Sequence, residues 1–396
     1  MPHWDESLVD DEVERERLDS RGVLRALATA GAQVRAAVGL SQEAGIDRVA
    51  GGERPRGVLV AAVGGSAVVG ETLSRLAEPG SPVPLAQATT LPLPGWVGPL
   101  DLVVAVSESG RAAGPLALAA EASRRGASLL TVGAVDSPLA AVCASARGVH
   151  VGLALGGMSS RTALWALLTP VLLAGHALGL TRTPADVLAT VADRLDAGAT
   201  AYRPSSEAFV NPAKLLAADL AGGLPVILGD GPVAGVAARR AATMLARTAR
   251  VPAPSGELPS AASEIVALFD GPFTSQGARE TDLAAAVDDI FRDPFLDGAP
   301  DPRLVLVLLR GALAGPAGSW TAHADADGDE LGDAVAAAAQ DAGVKVRQHR
   351  AEPGHPLEQF ADLMCLVDFT ATYLALGLGL DPGVSAHVRA LRDYGR

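Results

Sequence analysis

Apolar runs that end in small or polar turn residues alternate with helical patterns along most of the chain, and this alternation constrains the fold more than any other feature. Strands are predicted in the first half at 56–66, 83–90, 101–110, 127–133 and 148–153, and in the second half at 224–232, 303–311 and 344–349. Continuous apolar strands separated by helices are typical of a parallel sheet covered on both faces. The sequence therefore predicts an α/β protein with doubly wound, mostly parallel sheets and helices on both faces.

The strand-and-helix pattern stops after two long predicted helices, at about 160–180 and 183–198, and then restarts. The stretch A-Y-R-P-S-S-E-A-F-V-N-P (201–212) between the two series is the best linker candidate. In each half, a strand and its helix lead through a Gly-containing turn into the next strand, so the halves resemble weak copies related by pseudo-symmetry. We therefore predict the following four parts: a helical segment at 1–45, a first α/β domain at 46–182, a helix and linker at 183–212, and a second α/β domain with C-terminal helices at 213–396.

The composition excludes several classes of protein. The formal charge of -13 argues against non-specific binding to nucleic acid, which requires excess positive charge. The charged N-terminus has no apolar signal core, and the longest apolar run, 163–180, contains Thr, Pro, Gly and His and predicts a buried helix rather than a membrane span. Cys143 and Cys365 lie far apart in apolar surroundings, which indicates neither a disulfide framework nor a zinc site. We expect a cytoplasmic protein.

Two Gly- and Ser-containing turns follow predicted strands, and ligands of doubly wound sheets bind where such turns meet the helix N-termini. The first is G-G-S (64–66) and the second is S-E-S-G (107–110). Hydroxyls and outward-pointing helix amides suit an anion such as phosphate, without a lysine. The candidate ligands are Gly65, Ser66, Ser107 and Ser109. From spacing alone, ordinary strand-to-helix turns explain these residues equally well.

Other motifs for cofactors and metals do not match. The chain contains no G-x-x-x-x-G-K-[ST] segment, and A-V-G-G-S-A-V-V-G does not fit G-x-G-x-x-G. The acidic stretch at 323–333 begins like a calcium loop, but Glu330 and Ala336 occupy the positions of the required glycine and the closing carboxylate. We therefore expect no cofactor and no metal.

Four segments together resemble the SIS (sugar isomerase) domain family. G-G-S-A-V-V-G (64–70), followed about 40 residues later by V-S-E-S-G (106–110), is similar to that family's phosphate loops, the second of which reads Ser-x-Ser-Gly-x-Thr. M-S-S-R-T-A-L (158–164) resembles the Pro-Arg-Ala-Ala segment of bifunctional phosphoglucose/phosphomannose isomerases, and S-E-I-V (263–266) resembles their His-Asn-Glu-Ile segment. The resemblance extends from about residue 20 to the end of the chain.

This resemblance implies an isomerase that converts glucose 6-phosphate or mannose 6-phosphate to fructose 6-phosphate. Glu264 would be the base that moves a proton between C1 and C2 through a cis-enediolate, and Arg161 would stabilise the enediolate oxygens. Ser66, Ser107 and Ser109 would anchor the phosphate. The resemblance further implies a homodimer, because the family's sites lie near subunit contacts.

Several residues depart from the family pattern. Ala112 stands at the position of the phosphate-loop threonine, and Glu108 stands at that of a tyrosine. The family's His-Asn pair reads Ala262-Ser263, and no histidine follows Glu264 before His323 to open the sugar ring. His355, in a loop before a helix, is our candidate for ring opening.

These departures motivate an alternative, a catalytically impaired SIS-domain protein that binds or senses a phosphosugar. A weaker third possibility is a binding module for another anionic metabolite, such as an amino-sugar phosphate.

Overall fold

The computed structural model describes residues 4–77, 81, 83–274, 303–312 and 325–394. The chain divides into two compact units, which we call the first unit (residues 26–197) and the second unit (residues 1–25 with 198–396). This division groups the first 25 residues with the second half of the chain.

The first unit contains a five-stranded parallel sheet in the order β2-β1-β3-β4-β5. Its strands are β1 (Val58–Ala61), β2 (Leu85–Ala88), β3 (Leu102–Ser107), β4 (Ser128–Ala134) and β5 (Val149–Leu153). Strands β1 and β3 are buried along their whole length, as expected for a sheet with helices on both faces. All five strands predicted in the first half are confirmed.

The helices of the first unit alternate with these strands. Helices α1 (Ser7–Asp10), α2 (Glu12–Leu18) and α3 (Val23–Ala28) come first in the chain. The helices of the first unit that follow are α4 (Ala30–Glu43), α5 (Ala67–Leu76), α6 (Ala113–Arg124), α7 (Pro138–Ser145), α8 (Leu164–Ala177) and α9 (Ala185–Ala201). Helix α8 begins at Leu164, later than predicted, since residues 158–163 form turns instead. The segment with Arg161 is therefore a loop between β5 and α8.

The second unit contains a four-stranded parallel sheet in the order β7-β6-β8-β9, which repeats the order of the first four strands of the first sheet. Its strands are β6 (Gly223–Asp230), β7 (Ser255–Leu258), β8 (Arg303–Arg310) and β9 (Lys345–Arg350). The three predicted strands are confirmed, and β7 was not predicted. Its sequence, S-G-E-L, has no apolar run, so pairing with β6 rather than local pattern makes it a strand.

Helices α10 (Pro212–Ala221), α11 (Pro232–Met244), α12 (Ala262–Ala267), α13 (Asp325–Asp341), α14 (Pro356–Gly377) and α15 (Ala386–Tyr394) complete the second unit. Among the described residues, only α14 is long and apolar enough to cross a membrane, and 94% of its apolar window is buried inside the protein. Arg240 of α11 donates two hydrogen bonds of 2.9 Å to the Asp368 carboxylate of α14, and both side chains are buried. The acidic stretch that resembles a calcium loop starts outside the described residues, and from residue 325 onward it lies in α13.

Candidate functional site

The turn after β1 forms a single turn of 3-10 helix, Gly64–Ser66, that leads directly into α5. Gly64 adopts a positive φ of 62°, a conformation that favours glycine. Ser66 is the N-cap residue of α5 and is only 3% exposed, yet its hydroxyl makes no capping hydrogen bond. A serine at this position usually caps its own helix, so the Ser66 hydroxyl remains available for another partner.

The turn after β3 holds its serines in local hydrogen bonds. The Ser107 hydroxyl accepts a hydrogen bond from the amide of Ala112 at 3.3 Å, and that of Ser109 accepts one from the amide of Arg111, also at 3.3 Å. Gly110 has a φ of 63°, and a Cβ there would overlap the hydroxyl of Ser137. A hydroxyl that accepts an N–H bond keeps its own hydrogen for donation. The serines therefore stabilise the turn and can still donate to an anion.

The two turns lie at the same edge of the sheet, since β1 and β3 pair directly and in parallel. The site at this edge thus combines the G-G-S turn with the S-E-S-G loop, and we call the four residues Gly65, Ser66, Ser107 and Ser109 the hydroxyl cradle.

The N-terminus of α6 contributes less to the hydroxyl cradle than the sequence suggests. Pro115 occupies the third helical position and has no amide hydrogen, so one of the usual outward-pointing donors is missing. Gly114, at the second position, packs so closely on the Thr89 carbonyl that an added Cβ would overlap its oxygen. The hydrogen-bond donors at this edge are therefore mainly side-chain hydroxyls.

Two charged residues flank these serines. Glu108 is half-buried between Ser107 and Ser109, and Arg111 is exposed two residues after Ser109. Among the described residues, no hydrogen bond or ion pair involves the Arg111 guanidinium. Glu108 was noted from the sequence, whereas Arg111, which carries a positive charge three positions further along the chain, was not.

The loop that carries Arg161 is held in place by Gln33, a buried residue of α4. Gln33 Nε2 donates to the Thr162 carbonyl at 2.9 Å, and Gln33 Oε1 accepts from the Ala166 amide at 3.3 Å. Within the loop, the Ser159 amide donates to Oγ1 of Thr162 at 3.1 Å. These bonds fix the backbone on both sides of Arg161, whose side chain is half-buried.

The Arg161 loop contacts the hydroxyl cradle directly. A Cβ added at Gly65 would lie 2.7 Å from Oγ of Ser160, which is closer than real Cβ atoms approach. The first unit thus brings Gly65, Ser66, Ser107, Ser109 and Arg161 to one edge of one sheet.

Glu264 and His355 belong to the second unit. Glu264 lies in the first turn of α12, a six-residue helix reached from the carboxyl end of β7. Its side chain is exposed, and no hydrogen bond or ion pair among the described residues holds its carboxylate. Its neighbours along the chain therefore leave this carboxylate open to solvent.

His355 is the N-cap residue of α14 and forms a capping box with Glu358. Its Nδ1 accepts a hydrogen bond from the Leu357 amide at 3.1 Å, while the Glu358 carboxylate accepts one from the His355 amide at 3.3 Å. Nδ1 is therefore used to cap the helix, and proton transfer at this residue would have to use Nε2. The glutamate three residues after His355 is a sequence signal for such a cap.

Other candidate groups have structural roles. His150 Nδ1 lies 2.7 Å from the Thr131 hydroxyl, and Nε2 lies 3.2 Å from the Ala134 carbonyl, so the ring is satisfied in the core. Lys214 is 2% exposed and donates to Asp10 at 2.6 Å and to the carbonyls of Pro204 and Ser206, both at 2.8 Å. Because all three of its hydrogens are used in this way, the Lys214 ammonium holds the N-terminal helices in place and does not act as a nucleophile.

The described residues contain no group of three or more His, Cys, Asp or Glu side chains that could hold a metal ion. Cys143 and Cys365 are both buried and free, and burial raises the pKa of each thiol.

The corresponding edge of the second sheet is occupied by side chains of the protein itself. Asp230 ends β6 and Arg310 ends β8, and the two residues are directly paired across the strands. Arg310 Nε donates to Asp230 Oδ2 at 3.1 Å, and Arg310 Nη1 bonds Asp333 and Gln348. This cluster was not predicted, because its members are separated by up to 118 positions in the sequence.

Comparisons with known proteins agree with this architecture. Residues 209–394 match the family model described as bacterial phospho-glucose isomerase C-terminal SIS domain. No curated protein matches the sequence.

Similar solved structures cover almost the whole chain at low identity. A hypothetical protein from Thermus thermophilus has a TM-score of 0.66 at 15% identity, with 99% of this chain and 96% of that chain covered. A glucose-6-phosphate isomerase like protein from the same organism has a TM-score of 0.50 at 21% identity, with 96% and 99% covered. The tagatose-6-phosphate ketose/aldose isomerase of Escherichia coli has a TM-score of 0.56 at 14% identity, with 96% and 97% covered.

Because these structures share so little sequence with the chain, their similarity establishes the fold alone. The family match concerns the second half of the chain. Both sheets have the strand order and helix placement of that fold. Residues 209–394 therefore match the bacterial phospho-glucose isomerase C-terminal SIS domain family, and the chain as a whole has the fold of these similar structures, with two parallel sheets.

Proposed function

We propose that this protein is a phosphosugar aldose–ketose isomerase that converts glucose 6-phosphate, mannose 6-phosphate or both to fructose 6-phosphate. The observation that carries the proposal is the contact between Gly65 and Ser160. This contact joins the hydroxyl cradle, which suits a phosphate, to the loop with Arg161, which suits a developing oxyanion. A phosphosugar needs both groups at once, at opposite ends of one small molecule.

The reaction requires a base that removes the C2 proton of the open-chain aldose and returns it to C1. Glu264 has this role in the proposal, with Arg161 stabilising the oxygens of the cis-enediolate as charge develops on them. The phosphate bound at Ser66, Ser107 and Ser109 would hold the substrate in one orientation and so reduce the entropic cost of the reaction. His355 would assist ring opening through Nε2. No cofactor enters this scheme.

The proposal includes a cytoplasmic homodimer. Glu264 is exposed in the single chain, whereas a catalytic carboxylate usually lies in a partly buried site. A second subunit that covered α12 would supply this burial. The charge of -13 and the buried position of the apolar helix α14 agree with a protein that binds neither nucleic acid nor membrane.

Proton exchange tests the proposal most directly. Fructose 6-phosphate, glucose 6-phosphate and mannose 6-phosphate are each incubated with the protein in heavy water, and NMR follows the proton at C2 of each aldose phosphate and those at C1 of fructose 6-phosphate. We expect exchange or interconversion with at least one aldose phosphate, and its loss in Glu264→Gln with phosphosugar binding largely intact. Ser263→Ala is the matched control on the same helix turn. Normal turnover in Glu264→Gln would exclude Glu264 as the base.

The second candidate function is a phosphosugar-binding protein without catalysis. Glu108 inside the cradle, Ala112 in place of a hydroxyl, and the unsupported carboxylate of Glu264 favour it. It predicts phosphosugar binding with no exchange of the C2 proton into solvent. A ligand that binds only the folded protein raises its melting temperature with concentration, so thermal shift measurements would identify such a ligand.

A further inference from the structure

We infer that Ser160 is an additional phosphate-binding residue, which extends the hydroxyl cradle from two turns to three. This inference rests on the proposed function in that it takes a phosphate monoester as the ligand of this edge of the first sheet. Nothing in the sequence motifs assigns a role to Ser160, which lies one residue before Arg161, at the position of a proline in the segment that it resembles.

The position of Ser160 follows from its contact with the cradle. Oγ of Ser160 lies 2.7 Å from the place that a Cβ at Gly65 would occupy, and Cβ of Ser160 lies 3.4 Å from it. Glycine at position 65 therefore leaves the space that the Ser160 hydroxyl needs. The loop is also restrained, because Gln33 bonds the Thr162 carbonyl immediately after Arg161.

The hydroxyls of Ser66 and Ser160 have no hydrogen-bond partner within the described part of the chain. Ser66 is 3% exposed, and its hydroxyl makes no capping hydrogen bond to its own helix. Ser159, the neighbour of Ser160, does have a partner. Its hydroxyl lies 3.4 Å from Oγ1 of Thr162, and its amide donates a hydrogen bond to that Oγ1 atom. These two unbonded hydroxyls, one on the residue after Gly65 and one in contact with Gly65, point to a ligand that accepts hydrogen bonds.

A phosphate monoester fits this arrangement chemically. Its terminal oxygens only accept hydrogen bonds at neutral pH, and each serine hydroxyl can donate one. Ala112 lacks the hydroxyl that a threonine would supply to the S-E-S-G loop. Ser160, next to Gly65, restores the number of donors.

Calorimetric titration of the full-length protein with inorganic phosphate and with fructose 6-phosphate tests the inference. We expect Ser160→Ala to raise the Kd of both ligands about tenfold, because each loses one hydrogen bond to a charged group. Ser159→Ala is the matched control in the same loop and should leave both Kd values unchanged. An unchanged Kd in Ser160→Ala, with a far-ultraviolet spectrum like that of the unsubstituted protein, would overturn the inference.

A double-substitution cycle with Gly65 gives a second test. A methyl group at position 65 forces the Ser160 side chain to move, so Gly65→Ala should weaken phosphate binding about as much as Ser160→Ala. Adding Ser160→Ala to Gly65→Ala should then cost little more, since both changes remove the same hydrogen bond. Fully additive losses would show that Ser160 binds no phosphate.

The outcomes separate this inference from the proposed isomerase activity. Phosphate binding that depends on Ser160, without exchange of the C2 proton, would support the inference and overturn the isomerase proposal. If the C2 proton still exchanges and Ser160→Ala binds phosphate as well as the unsubstituted protein, the isomerase proposal is supported and the inference about Ser160 is overturned. If neither inorganic phosphate nor fructose 6-phosphate binds, both are wrong.

Discussion

Arg310 and Asp230 form a buried ion pair at the carboxyl edge of the second sheet, with Nε and Oδ2 3.1 Å apart and side chains 3% and 7% exposed. In the first sheet, the same edge carries the hydroxyl cradle. An arginine already neutralised by carboxylates of its own chain is a poor anion receptor, since a ligand would have to displace Asp230 or Asp333. The two sheets thus share a strand order while their edges are suited to different tasks.

Replacing Asp230 by alanine should destabilise the protein strongly. The substitution leaves the buried Arg310 guanidinium without its inner partner, and breaking a buried pair in this way typically costs about 3–5 kcal/mol. Urea denaturation would measure the loss in the free energy of unfolding. Asp333→Ala is the matched control, because Asp333 bonds the same guanidinium with a side chain that is 70% exposed, and its effect should be much smaller. Equal losses in the two variants would contradict this account.

The contrast between these edges also indicates what the sequence can predict. Strands β1, β3, β6 and β8 are apolar along their length, so hydrophobic pattern alone predicted them, and parallel pairing followed from the helices between them. Strand β7 carries no such pattern, and it becomes a strand only because β6 offers an open edge. Local pattern cannot predict an element of this kind.

The candidate site divides in the same way. The serines of the hydroxyl cradle were predicted because strand ends and glycine turns are visible in the sequence. Gln33 and Ser160 were not predicted, because their importance lies in contacts more than 90 positions away along the chain. The helix-capping role of His355 could have been predicted from the glutamate at position 358.

Removing the charges beside the cradle should change phosphosugar affinity in opposite directions. Glu108→Gln removes a negative charge next to Ser107 and Ser109, so the Kd of fructose 6-phosphate should fall about threefold. Arg111→Gln removes a positive charge, and the Kd should rise by a similar factor, which is typical of an exposed charge acting on a ligand. Calorimetry at low and at high salt measures both effects. They should shrink together as salt is added, and effects that are independent of salt would rule out an electrostatic origin.

Replacing Gln33 by leucine should lower turnover more than phosphate binding. The change leaves the Thr162 carbonyl and the Ala166 amide without their side-chain partner, so the backbone around Arg161 can shift. Because Ser160 of the same loop supplies only one of the hydroxyls proposed to bind the phosphate, whereas Arg161 acts on the enediolate, we expect kcat for the proposed isomerisation to fall about tenfold and the Kd of inorganic phosphate to rise by only about threefold. Arg35→Gln, on the exposed face of the same helix, is the control and should leave kcat unchanged. Equal loss of turnover and phosphate binding would indicate general disruption of the unit.

Folding stability should decrease below about pH 6.5, partly because of His150. Burial lowers the pKa of His150 in the folded protein, although its hydrogen bond to the Ala134 carbonyl opposes this shift. Burial also lowers the pKa of His349, with the nearby charge of Arg347 acting in the same direction. In the unfolded chain both rings titrate near their ordinary value of about 6.5.

The sign of the effect follows from proton uptake. Between the lowered pKa and about 6.5, the unfolded chain binds more protons than the folded protein, so the free energy of unfolding falls as the pH falls through this range. Above about pH 6.5 the contribution is fully present. Each histidine changes the slope by at most about 1.4 kcal/mol per pH unit. The measurement is urea denaturation between about pH 5 and 8. The free energy of unfolding should depend less steeply on pH in His150→Gln than in the unsubstituted protein, and His349 should account for the dependence that remains. Parallel curves would show that His150 titrates alike in both states.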